Sequence, residues 1–307
     1  MKSGAKIGKL LNAKNDVEIY FLLIVFTSDD SANFASVKTE KEPKAEMSFL
    51  QHLEELRWHL VRSSAAIFIF AIVAFFNKEF IFDKLILAPK NVDFPTYRFL
   101  CWVGEKLHLD ESICIKDLSF TLINIDMSGQ FSTHMSVSLY AGLILAFPYV
   151  VLEMWRFIKP GLHNHERKYA NGIVFFTSLL FFLGVLFGYY VITPMSVNFL
   201  GTYQVSALVA NQISLSSFIS TVTTLTLMTG VVFELPILVY FLTKIGVLTP
   251  DFMRHYRRHA IVVLLIIAAI ITPPDVTSQI LVTIPLLVLY EISIFVSSYV
   301  LKKPEVS

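Results

Sequence analysis

The chain has 307 residues, 55% of them hydrophobic and 16% charged, with 27 Phe and a formal net charge of +1. Soluble domains carry about 25% charged residues, so what is missing is what a water-facing surface needs, and the near-neutral balance gives no footprint for nucleic acid. Two cysteines, Cys101 and Cys114, are too few for a disulfide scaffold or a four-cysteine metal site.

Residues 1–46 are rich in Lys, Asp and Ser and show no sustained period. They read either as a disordered tail or as an extension upstream of a functional start at Met47. Their one apolar run, Ile19–Phe26, is shorter than most signal-peptide cores. From Met47 an amphipathic helix leads into a first span at about Leu60–Phe76, an interfacial arrangement. A polar loop, roughly Asn77–Gln130, follows.

Further spans are predicted at about Phe131–Trp155, Ala170–Ile192, within Leu215–Leu242, at Ala260–Thr272 and at Gln279–Leu301. Pro273-Pro274 stops the fifth, and Asp275 is placed to cap the sixth. The predicted fold is an all-α membrane protein of six transmembrane helices over residues 47–303, with an outer loop at 77–130. The fifth span is too short for a hydrocarbon core of about 30 Å, so the last hairpin must thin the bilayer or shelter against protein. Arg156, Lys159, Arg167 and Lys168 lie between spans two and three. Lys244, Arg254, Arg257 and Arg258 lie between spans four and five, and Lys302 and Lys303 follow the last. That bias puts both termini in the cytoplasm.

No HExxH, G-x-S-x-G, Walker loop or Cys/His ligand spacing occurs, so neither an enzyme nor a cofactor is indicated. His52, His59, His163 and His165 read as solvated surface histidines. Glu234, within GVVFELPILVY, is the informative intramembrane charge. A carboxylate there costs about 3 kcal/mol unless wetted, paired or protonated, and Pro236 already frees a carbonyl one turn back. Lining a water-filled cavity is the favoured reading, and bonding to a neighbouring hydroxyl is the alternative. Glu153 and Glu291 read as interfacial carboxylates. Glu55, Arg57 and Glu166 gather at the cytoplasmic surface, where carboxylates suit a guanidinium ligand or simple salt bridges to nearby arginines. Cys101 and Cys114 share the outer loop, where oxidation is possible; a bridge and two unpaired thiols both remain open.

Five segments resemble the TatC family of twin-arginine protein translocases. HLEELRWHL (52–60) is similar to its opening motif, with His59 where the family usually has Arg. WRFIKPGLHNHERK (155–168), with Pro160, resembles its first cytoplasmic loop. VVFELPI (231–237) resembles the fourth-span F-E-x-P, ITPPDVTSQ (271–279), ending at Gln279, the last turn, and Pro89 the A-P pair of the outer loop. The resemblance implies a glove-shaped subunit of the cytoplasmic (inner) membrane. It would bind twin-arginine signal peptides through Glu55, Arg57, Phe157 and Glu166. It would export folded cargo on the proton-motive force with TatA/TatB-type single-span partners, in an oligomeric complex surrounded by lipid. The competing class is a small-solute or proton-coupled transporter using Glu234; it lacks an internal repeat.

Overall fold

The computed structural model describes residues 49–106, 114–115, 118, 120–158, 170–206, 208–272 and 276–302. The N-terminal segment, Pro160, Glu166 and the Pro273-Pro274-Asp275 turn lie outside the described residues.

Helix α1 (Phe49–Phe76) joins the amphipathic lead-in and the first span in one 28-residue helix. No Gly or Pro interrupts it, and the Asn77 side-chain amide donates to the Val73 carbonyl at 2.8 Å to finish it. Helix α2 (Pro95–Lys106) crosses the outer loop, and α3 (Gly129–Ile158) carries the second span. The two long helices approach closely at Gly142, where a Cβ would stand 2.6 Å from the Ala71 nitrogen and 2.7 Å from the Ile67 carbonyl oxygen. Small residues permit such backbone contact between membrane helices.

The third span runs further than its pattern suggests. Helix α4 (Ala170–Phe187) passes through a π-helical turn, Gly188–Ile192, into α5 (Thr193–Thr202), ten residues beyond the expected end. Pro194 has no N–H to offer the Tyr190 carbonyl. The turn widens there, and the Thr96 hydroxyl of α2 donates to that carbonyl instead. The Tyr97 hydroxyl lies 3.0 Å from the carbonyl oxygens of both Pro89 and Pro194. Burial holds the Tyr97 phenol above its ordinary ionisation range, so it stays a donor.

Helix α6 (Leu215–Val232) is capped by Ser214, whose side chain accepts from the Ser217 N–H. It stops at Phe233-Glu234, and α7 (Leu235–Lys244) begins with Pro236 in its first turn. Gly246, at φ 78°, turns the chain toward α8 (Pro250–His255), α9 (Arg257–Ile271) and α10 (Val276–Lys302). A small parallel pair also forms among these helices: β1 (Thr121–Ile123) pairs with β2 (Gln212–Ser214), Leu122 opposite Ile213. Three-residue strands leave too little alternation to read from sequence.

Among the described residues, five helical stretches are long and apolar enough to cross a membrane: Leu53–Phe76, Gly129–Ile158, Gly172–Thr202, Leu215–Lys244 and Ser278–Leu301. The protein is therefore mostly helical and of multi-pass character. Helix α9, expected as another span, has 15 residues, about 22 Å at 1.5 Å per residue. The core lies in three apolar clusters. One joins the outer loop to α6 through Phe94, Tyr97, Phe120, Phe218 and Val222. A second joins α6, α9 and α10 around Leu225, Ala268 and Leu286. A third, Val239, Met253 and Ile294, seals α7, α8 and α10.

Candidate functional site

The first turns of α1 and the last turns of α3 lie side by side. On α1, Glu55 is half-buried and Arg57 exposed. Among the described residues neither forms an ion pair or a side-chain hydrogen bond. Four residues on, His59 shares the Glu55 face, as i, i+4 neighbours do. Its Nδ1 lies 2.6 Å from Oε2 of Glu153. Arg156 Nη1 donates to the other oxygen, Oε1, at 2.7 Å. Glu153 is fully buried, at 0% exposure, which an isolated carboxylate could not tolerate without pairing.

This corrects two readings. Glu153 is not an ordinary interfacial carboxylate, and His59 is not a solvated surface histidine. Together they clamp α1 to α3. The two residues are 94 positions apart, so no local pattern marks them; the only sequence signal was a histidine at a place the resemblance reserves for a cation. Phe157, one residue past Arg156, sets its ring edge-on to the His59 imidazole, with centroids 6.1 Å apart. The neighbouring Trp155 is buried and packs on Phe241 of α7 at 5.3 Å. The end of α3 is thus held from two sides, while Glu55, one turn before His59 on α1, has no ion-pair partner among the described residues. That arrangement suits a guanidinium flanked by an aromatic surface.

Glu234 sits at the break between α6 and α7, as the residue preceding Leu235. Both carboxylate oxygens are shielded within the chain, and no group among the described residues satisfies them. The Phe181 backbone approaches without reaching hydrogen-bond geometry. The packing around it is tight: a Cβ on Gly230 would meet Val185 at 2.7 Å, and one on Gly184 would meet the Gly230 Cα at 2.8 Å. The two oxygens thus lie within the single chain, close to the α4 backbone at Phe181.

The remaining candidates are structural in placement. Pro89 is buried in a 3-10 turn, Ala88–Lys90. Gln279 Nε2 donates to the Leu265 carbonyl at 3.4 Å, linking α10 to α9. Glu291 accepts from Arg257 at 2.7 Å on the same hairpin. Cys101 and Cys114 are joined as a disulfide. Among the described residues no group of three His, Cys, Asp or Glu side chains has metal-binding geometry.

Known proteins resemble this chain in sequence and in fold. The family described as "Sec-independent protein translocase protein (TatC)" matches residues 51–285. A relative of that name from Blattabacterium sp. subsp. Periplaneta americana is 42% identical over 264 residues, covering 86% of this chain and 99% of the relative. The Aquifex aeolicus relative is 33% identical over 258 residues, covering 84% and 97%. A crystal structure described as the twin-arginine translocase receptor TatC superposes with a TM-score of 0.61 at 33% identity, covering 81% of this chain and 99% of that one. A second, in DDM, gives 0.63 at 34%, covering 80% and 98%. The chain belongs to the TatC family of Sec-independent protein translocase proteins.

Proposed function

We propose that this chain is the signal-peptide receptor subunit of a twin-arginine translocase in the cytoplasmic membrane. The observation that carries the reading is the unpaired Glu55, one helical turn before the His59 that meets both Glu153 and Phe157. Two adjacent arginines need carboxylates that are not already spent on internal salt bridges, and an aromatic surface nearby. Glu166, in the loop that follows Phe157 in sequence, supplies a second carboxylate, and Arg57 belongs to the same signal-peptide-binding set by resemblance to the family.

The topology is six spans, with both termini cytoplasmic by the distribution of Lys and Arg. Helix α9 is the short fifth span, and the α9–α10 hairpin thins the bilayer around it. TatA/TatB-type single-span subunits gather at that thinned edge, in an oligomeric complex embedded in lipid. Transport is driven by the proton-motive force, and the chain carries no catalytic chemistry, cofactor or nucleic-acid function of its own. A solute transporter built on Glu234 is not favoured, because the family shown is a protein translocase.

Complementation tests this reading. A strain lacking its own TatC should export a folded twin-arginine reporter when given this chain, and lose most of that export with Glu166→Gln. One charge-assisted contact of this kind is worth about 1.5–3 kcal/mol. Full export by the Glu166→Gln variant would remove Glu166 from the docking face.

A further inference from the structure

We propose that His59 is a positioning residue for signal-peptide docking, and that its protonation state sets how tightly the peptide is held. The proposal rests on the receptor reading above, since it concerns how Phe157 and Glu55 are held for the ligand.

His59 touches both parts of the arrangement. Its Nδ1 is 2.6 Å from a fully buried carboxylate oxygen of Glu153, and its ring meets the edge of Phe157. The other Glu153 oxygen is taken by Arg156, the residue immediately before Phe157. Glu153 therefore connects the α1 face that carries Glu55 to the α3 turn that carries Phe157. As an imidazolium, His59 gives this connection a second positive charge. As neutral imidazole it keeps a hydrogen bond to Glu153 but loses the charge. A buried pair is weakly screened by solvent, so that loss is felt as a looser α1–α3 junction.

Histidine is the side chain whose charge ordinarily changes between pH 5 and 8. Among the described residues, the charged and titratable groups around it are Glu55 and Arg62 on α1, and Tyr149, Glu153 and Arg156 on α3, the helix packed against α1. Arginine and ordinary carboxylates keep their charge across that window, and histidine is the residue type in this set that can change charge within it. The sign follows: lower pH charges His59, tightens the junction and strengthens docking, and higher pH weakens it.

The test is binding of an acetylated, histidine-free twin-arginine peptide to the purified full chain in lipid nanodiscs, between about pH 6 and pH 8.5. The wild-type affinity should fall about fivefold across the range, the difference between a charge-assisted and a neutral hydrogen bond. His59→Arg, a permanent cation, should bind tightly with no slope. His59→Gln should bind weakly with no slope, and Glu153→Gln should also lose the slope. A flat wild-type profile overturns the proposal, as does a wild-type slope retained in either His59 variant. Failure of the wild type to bind the peptide at any pH, or equal binding of a twin-lysine peptide, is a different result. It contradicts the receptor reading itself, and the positioning role falls with it.

Discussion

Gly142 of α3 and Ala71 of α1 meet backbone to backbone: a Cβ added to Gly142 would stand 2.6 Å from the Ala71 nitrogen. The atoms in the way are main-chain atoms of a regular helix, so they cannot rotate aside. Gly142→Ala should therefore force the helices apart, at the roughly 1–3 kcal/mol typical of overpacking, and Gly142→Val should cost more. Thermal unfolding of the purified protein in detergent checks this. The expected order of Tm is wild type above Gly142→Ala above Gly142→Val. An unchanged Tm in both variants would contradict the contact.

The long apolar helices were legible in the sequence because hydropathy alone carries them, and the break before Pro236 was legible from one missing N–H. The continuation of α4 past Pro194 was not. It depends on Thr96, 94 positions earlier, donating to the Tyr190 carbonyl, and local patterns hold no record of such a partner. The site was split in the same way. Glu55 and Phe157 stood out by motif, whereas the His59–Glu153 clamp is a contact across 94 residues between two side chains that each look ordinary alone. Glu166 and the Pro273-Pro274-Asp275 turn fall outside the described residues, and their roles rest on the sequence.

The outer loop should be covalently closed. Cys101 is paired with Cys114, 13 positions away, in a loop that the proposed topology puts outside the cytoplasm, where a disulfide persists. Closing a loop of this size is worth up to about 3 kcal/mol. Thiol titration of denatured protein should find no free thiol before reduction and two after it. Reduction should lower Tm while leaving peptide binding intact, because the bridge lies at the opposite end of α1 from Glu55. Two free thiols in unreduced protein taken from an oxidising compartment would rule the bridge out.

Glu234 should reach water in the assembled translocase. Among the described residues no group satisfies its two oxygens, and an unsatisfied carboxylate at membrane depth is costly. Its hydrogen bonds must come from water or from a chain that opens the α4–α6 contact. A cysteine at position 234, in a background with Cys101 and Cys114 replaced by Ser, should react with a membrane-impermeant maleimide, faster during transport than at rest. Glu234→Ala should reduce export more than peptide binding. No labelling under either condition would mean that the carboxylate stays sealed.

Docking of two adjacent arginines through Glu55 and Phe157 is the proposal to test. The most direct measurement is the Kd of the purified chain in nanodiscs for one signal peptide in two forms, twin-arginine and twin-lysine, repeated with Glu55→Gln and Phe157→Ala. The twin-arginine form should bind the wild type at least about tenfold more tightly, since bidentate guanidinium–carboxylate pairing is unavailable to lysine. Glu55→Gln should erase most of that preference, and Phe157→Ala should weaken both forms. Equal affinity of the wild type for the two peptides, or a preference left intact in Glu55→Gln, would contradict it.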